Sequence, residues 1–108
     1  MVARVTQAYV DPANIPAAKE YLLTQLAPAE RDQEGFRGVI MLTREDGGMV
    51  IDFYNTEEQA RATEESGWYQ QTAELFTDKV KGQVRRNFYT VTIGEPLDVS
   101  QIDAVSQS

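Results

Sequence analysis

Hydrophobic positions alternate with a strand-like period in four stretches and recur at helical spacing in two. Ala3 to Val10 alternates and carries Val, Thr and Tyr, as a strand does, and Asp11-Pro12 ends it. Ile15, Ala18, Leu22 and Leu26 then form a helical stripe. They predict a helix from about Ala13 to Ala27, with Asp11 or Asn14 as its cap. Pro28 opposes continuation, so Ala29-Glu30-Arg31 is expected to add no more than a short turn. Gly35 to Asn55 reads as two strands, with apolar runs at Val39–Leu42 and Met49–Tyr54. The Asp46-Gly47 pair between them predicts a type I′ hairpin turn. Thr56 to Gln59 has the spacing of a capping box, and Glu57 and Glu58 suit a helix N-terminus. Ser66-Gly67 should break that helix. A second segment, Trp68 to about Val80, follows until Gly82, and Val84 to Ile93 is the last strand.

Strand, helix, hairpin, helix, strand is the order of an α+β, ferredoxin-like βαββαβ sandwich with both helices on one face. Residues 1–94 form the domain. The acidic tail, 95–108, is expected to be disordered or to dock on a partner through Leu97, Val99, Ile102 and Val105. The face without helices would expose either Val91 and Ile93 or Val84 and Phe88, depending on parity. An uncovered apolar sheet face marks an interface, and the simplest cover is a second copy, giving a homodimeric α/β barrel.

Composition narrows the chemistry. The 108 residues include no cysteine and no histidine. This excludes disulfides, thiolate nucleophiles, histidine acid–base catalysis, the Ser-His-Asp triad and Cys- or His-ligated metals. No metal site is expected. A net charge of −7 with no basic cluster beyond Arg85-Arg86 disfavours nucleic acid and anionic membrane surfaces. The start of the chain is too polar for a signal-peptide core, and no apolar run reaches membrane-spanning length, so a cytoplasmic protein is the expectation.

Three features resemble the antibiotic-biosynthesis-monooxygenase family of dimeric α+β barrels, over roughly Ala3 to Ile93. They are the Pro-initiated first helix, Gly35-Phe36-Arg37-Gly38 at the second strand, and Met49-Val50-Ile51-Asp52-Phe53-Tyr54-Asn55-Thr56-Glu57-Glu58-Gln59-Ala60 leading into a helix. Ser66-Gly67-Trp68-Tyr69-Gln70 is similar to the family's helix restart, but Trp68 stands where many members carry the histidine that haem-degrading members use as axial ligand. The resemblance implies a pocket between sheet and helices. It also implies, for some members, oxidation of polycyclic phenols by O2 without a cofactor. An electron-rich phenolate can itself reduce oxygen, so the protein need supply only binding, deprotonation and oxyanion stabilisation.

The ligand-pocket candidates are Trp68, Tyr69, Arg86 and Asn87. Trp68 is an aromatic wall for a planar ligand or, more commonly, core packing. Tyr69 is a ligand hydrogen-bond donor or a half-exposed tyrosine with its hydroxyl in water. Arg86 stabilises a phenolate or pairs with a carboxylate. Asn87 orients an oxyanion or bonds within a dimer. Arg86 and Asn87 have opposite parity, so at most one of them faces a given cavity. Asp52 is a general base if buried, or the partner of an arginine across the sheet. Glu57-Glu58 and Glu64-Glu65 are adjacent on a helix and make poor metal sites. Two functions fit: a cofactor-independent monooxygenase on an aromatic or polyketide-like substrate, or a non-catalytic dimeric ligand-binding or stress-related module of the same fold.

Overall fold

The computed structural model describes residues 1–67, 69 and 80–104. Its strands are β1 (Val2–Val10), β2 (Phe36–Arg44), β3 (Gly47–Tyr54) and β4 (Val80–Thr90). They form one antiparallel sheet in the order β2-β3-β1-β4. Between β1 and β2 lie a 3-10 turn (Pro12–Asn14), α1 (Ile15–Tyr21), a π-helical segment (Leu22–Leu26) and α2 (Ala27–Arg31). Helix α3 (Glu57–Glu64) follows β3. This is the α+β ferredoxin-like arrangement that the element order implies.

The first helical region departs from expectation in an instructive way. Asp11 caps its start through Ala13 N at 3.0 Å, but the helix does not stop before Pro28. A proline ring clashes with the carbonyl four residues back and has no N–H to give it. Here the chain widens first: the Ala27 N–H bonds Leu22 O, five residues back. A π turn of this kind reroutes the hydrogen bonds around the proline. The helical path therefore continues to Arg31 and carries Glu30 into the interior.

The hairpin also differs from expectation. Only glycines 35, 38 and 82 have positive φ among the described residues, so neither Asp46-Gly47 nor the Glu45-Asp46 loop forms the expected type I′ turn. Gly47 and Gly48 are needed for space instead. A Cβ on Gly47 would lie 2.3 Å from Ala8 O, and one on Gly48 would lie 2.4 Å from Leu42 O. Gly47→Ala is therefore expected to destabilise the domain by about 1–3 kcal/mol, because backbone rather than a flexible side chain must yield. Urea denaturation would show an unchanged midpoint if the contact relaxes freely.

At the start of the second helix Thr56 Oγ1 accepts from Gln59 N at 3.2 Å, as the capping pattern implies, and the helix ends at Glu64. Most of the following segment, including Trp68, lies outside the described residues. β4 begins at Val80 rather than Val84 and ends at Thr90 rather than Ile93, since β1 supplies partners only from Val10↔Val80 to Val2↔Thr90. Gly82, expected to end a helix, sits at φ +79° where the β1–β4 register shifts. In the tail Leu97, Val99 and Ile102 are all exposed on the single chain.

Candidate functional site

Alternation along β1 puts Arg4, Thr6, Ala8 and Val10 on the face toward the helices. Register then places Asp52 of β3 directly opposite Arg4. Arg4 is fully buried and Asp52 nearly so. Arg4 Nε donates to Asp52 Oδ1 at 3.2 Å and Oδ2 at 3.1 Å, and Nη2 also pairs with Oδ2. Arg4 Nη1 donates to Ala60 O at 2.7 Å and Thr63 Oγ1 at 2.9 Å, with Glu64 at 3.6 Å. One guanidinium thus ties β1, β3 and α3 together. Burial works against its charge, but the bond to Asp52 and that carboxylate's attraction outweigh it and hold Arg4 firmly protonated. The ion-pair alternative for Asp52 is the one realised.

Glu30 reaches the same place from α2. It is 1% exposed, and its Oε2 accepts from Tyr54 OH at 3.0 Å. Burial, then the charge and hydrogen bond of Asp52, push its carboxyl up to about 9, and the Tyr54 bond and Arg4 offset this only in part. Glu30 is accordingly a neutral acid at pH 7. Burial and the neighbouring Glu30 also raise the Tyr54 phenol, which stays protonated.

Beside this cluster, between the sheet and the first helical region, lies a cavity of about 310 Å³. Ala8, Val10, Ile15, Leu22, Leu26, Met41 and Val50 give it apolar walls. Its polar side chains include Glu30, Asp52, Tyr21, Tyr69 and Arg86. The Tyr69 ring stands near both guanidiniums, 4.7 Å from Arg4 and 5.0 Å from Arg86. Burial raises the Tyr69 phenol, and the two arginines oppose that rise. Arg86 also approaches Glu64 at 3.9 Å.

Of the four sequence candidates, Tyr69 and Arg86 meet at this cavity. Asn87 does not line it: β-strand alternation turns Asn87 to the opposite face, where it pairs with Val5. Trp68 lies outside the described residues. Arg4 and Glu30 were not singled out by the sequence. For Arg4 the available signal is one charge on the mixed-polarity face of each of two strands. For Glu30 it is the four-residue spacing Leu22, Leu26, Glu30, which extends the apolar stripe past Pro28. Among the described residues no cluster of acidic groups could hold a metal ion, and no helix is long and apolar enough to cross a membrane.

No protein-family model matches the chain, and no curated protein matches it. Solved structures do. A provisionally named antibiotic biosynthesis monooxygenase from Nitrosomonas europaea superposes with a TM-score of 0.74 at 18% identity, over 86% of this chain and 100% of its own. A point mutant of SnoaB, a cofactor-independent oxygenase from Streptomyces nogalater, gives 0.71 at 17% identity, over 89% of this chain and 97% of its own. The chain therefore has the fold of the antibiotic biosynthesis monooxygenases.

Proposed function

We propose that this chain works as a homodimer in which each copy binds a small, mostly apolar molecule between sheet and helices. We further propose that it oxidises an aromatic or polyketide-like substrate there with O2, without metal or flavin. The observation that carries this reading is the cavity of about 310 Å³, with apolar walls and a few converging polar groups, in the size range of small-molecule sites. The shared fold with a cofactor-independent oxygenase supports it. Arg86, which approaches Glu64 only at 3.9 Å, is the cation best placed to stabilise a phenolate. Oxygen consumption measured with hydroxylated naphthalenes and anthracenes tests the catalytic part.

A non-catalytic ligand-binding module is the alternative, and one observation favours it. The most buried polar groups at the cavity already satisfy one another: Asp52 is bound by Arg4, and Glu30 by Tyr54. Binding of a hydroxylated naphthalene without oxygen uptake would select this reading.

The dimer rests on the bare sheet face. Register assigns Val5, Tyr9, Ile40, Leu42, Ile51, Phe53 and Tyr89 to it, with Leu42 48%, Tyr9 52% and Tyr89 57% exposed. That face is apolar enough to need a cover. Native mass spectrometry is expected to show twice the chain mass. Leu42→Glu should shift the species toward single chains with an unchanged far-ultraviolet circular dichroism spectrum, since Leu42 contributes little to the fold of one copy. A wild-type species of one chain mass would contradict the dimer.

A further inference from the structure

Arg86 of β4 brings positive charge to the cavity, and among the described residues lining it no other lysine or arginine is present. It pairs with Thr6 of β1 and so shares the face turned to the helices. Its side chain is 34% exposed, which puts the guanidinium where the cavity meets water. One counter-ion, Glu64, is loosely held. Glu64 Oε1 lies 3.9 Å from Arg86 Nη1 and 3.6 Å from Arg4 Nη1, both too long for a hydrogen bond. Arg4 Nη1 directs its two N–H groups to Ala60 O and Thr63 Oγ1 instead. Glu64 is thus held to the two cations by charge and shared between them. If Arg86 turns to another anion, Glu64 keeps Arg4 beside it, and no charge is stranded.

The remaining walls set what such an anion is attached to. Ile15, Leu22 and Leu26 on the helical side and Val10, Met41 and Val50 on the sheet are all aliphatic. The Tyr69 ring has two guanidiniums over it, Arg4 at 4.7 Å and Arg86 at 5.0 Å, so it belongs to the charged end of the site. Asp52, bound by Arg4, repels a ligand anion toward Arg86. We propose, on the reading that this cavity is a ligand site, that it takes an aliphatic carboxylate. The alkyl chain lies between sheet and helices, and the carboxylate sits at the rim on Arg86, where it displaces Glu64. A guanidinium's planar fork can hold a carboxylate by two parallel hydrogen bonds, which Glu64 at 3.9 Å does not make. At the rim the head group keeps part of its hydration, so the cost of burying a whole charge is avoided. The chain gains by leaving water for aliphatic walls.

Calorimetric titration of the full-length protein tests this, with decanoate and 1-decanol below their aggregation concentrations and 2-naphthol as a control for the cavity itself. Arg86→Gln is expected to weaken decanoate about tenfold or more, the loss of hydrogen bonds to a charged group, and to leave 1-decanol within about twofold. Glu64→Gln should tighten decanoate severalfold, because the competing anion is gone, and leave 1-decanol unchanged. Merely structural roles would weaken both alkyl probes in both variants. Decanoate binding equally to wild type and Arg86→Gln, decanoate weakened by Glu64→Gln, or 1-decanol binding without decanoate would overturn the inference while the cavity reading stood. Binding of 2-naphthol with neither alkyl probe would do the same. Failure of all three probes to bind would overturn both.

Discussion

Arg4→Met is expected to lower the unfolding free energy by about 3–5 kcal/mol, the loss typical of breaking a buried ion pair from one side. The expectation follows from what the substitution leaves behind. Asp52 stays 3% exposed without its cation, Glu30 stays 1% exposed beside it, and Ala60 O and Thr63 Oγ1 lose their donor. Methionine keeps much of the aliphatic volume, so the effect reports charge and hydrogen bonding rather than a void. Removing the acid as well, in Arg4→Met with Asp52→Leu, should recover much of the loss. Replacing a whole buried pair with apolar groups is far milder than leaving half of it. Urea denaturation of the single and double variants is the measurement. Equal destabilisation of the two would mean that Arg4 matters for something other than its partner.

Stability should also fall as pH rises, through one group. Burial raises Glu30 from 4.5 when exposed to about 9 in the folded chain. Between those values the folded protein holds a proton that the unfolded chain has released. Unfolding is therefore increasingly favoured as pH climbs through that window, and the effect levels off above it. For a single proton the slope approaches about 1.4 kcal/mol per pH unit. Glu30→Gln cannot titrate, so the difference in unfolding free energy between wild type and variant should change steadily between about pH 6 and about pH 8.5, with the variant gaining relative to wild type. A difference that is flat across this range would place an ionised carboxylate at Glu30 at neutral pH.

The order of elements was legible in the sequence because hydrophobic period is a local signal, and the ferredoxin-like topology followed from connection rules. The hairpin was read correctly from its apolar runs, but for partly the wrong reason. Gly47 and Gly48 answer to the backbones of Ala8 and Leu42, not to a positive φ, and only the packed sheet shows that. Pro28 misled because a local rule against helical proline met a non-local solution, the π segment before it. That miss carried a functional consequence, since Glu30 sits in the turns that the rule discounted. Parity narrowed the site to Arg86 or Asn87, but which one faced the helices depended on pairing with β1 across eighty residues of chain, which no window of sequence contains. Asp52 was legible as the partner of some arginine across the sheet. That the arginine is Arg4 follows from the β1–β3 register.

The functional account stands on one claim: that the space between the sheet and the first helical region is a ligand site. An amide-resolved nuclear magnetic resonance titration with 2-naphthol tests it most directly. The expected result is saturable shifts concentrated at Ala8, Leu22, Leu26, Met41, Val50 and Asp52, which line that space. Shifts confined to Val5, Ile40, Leu42 and Ile51 on the opposite face, or no saturable shifts at all, would contradict it.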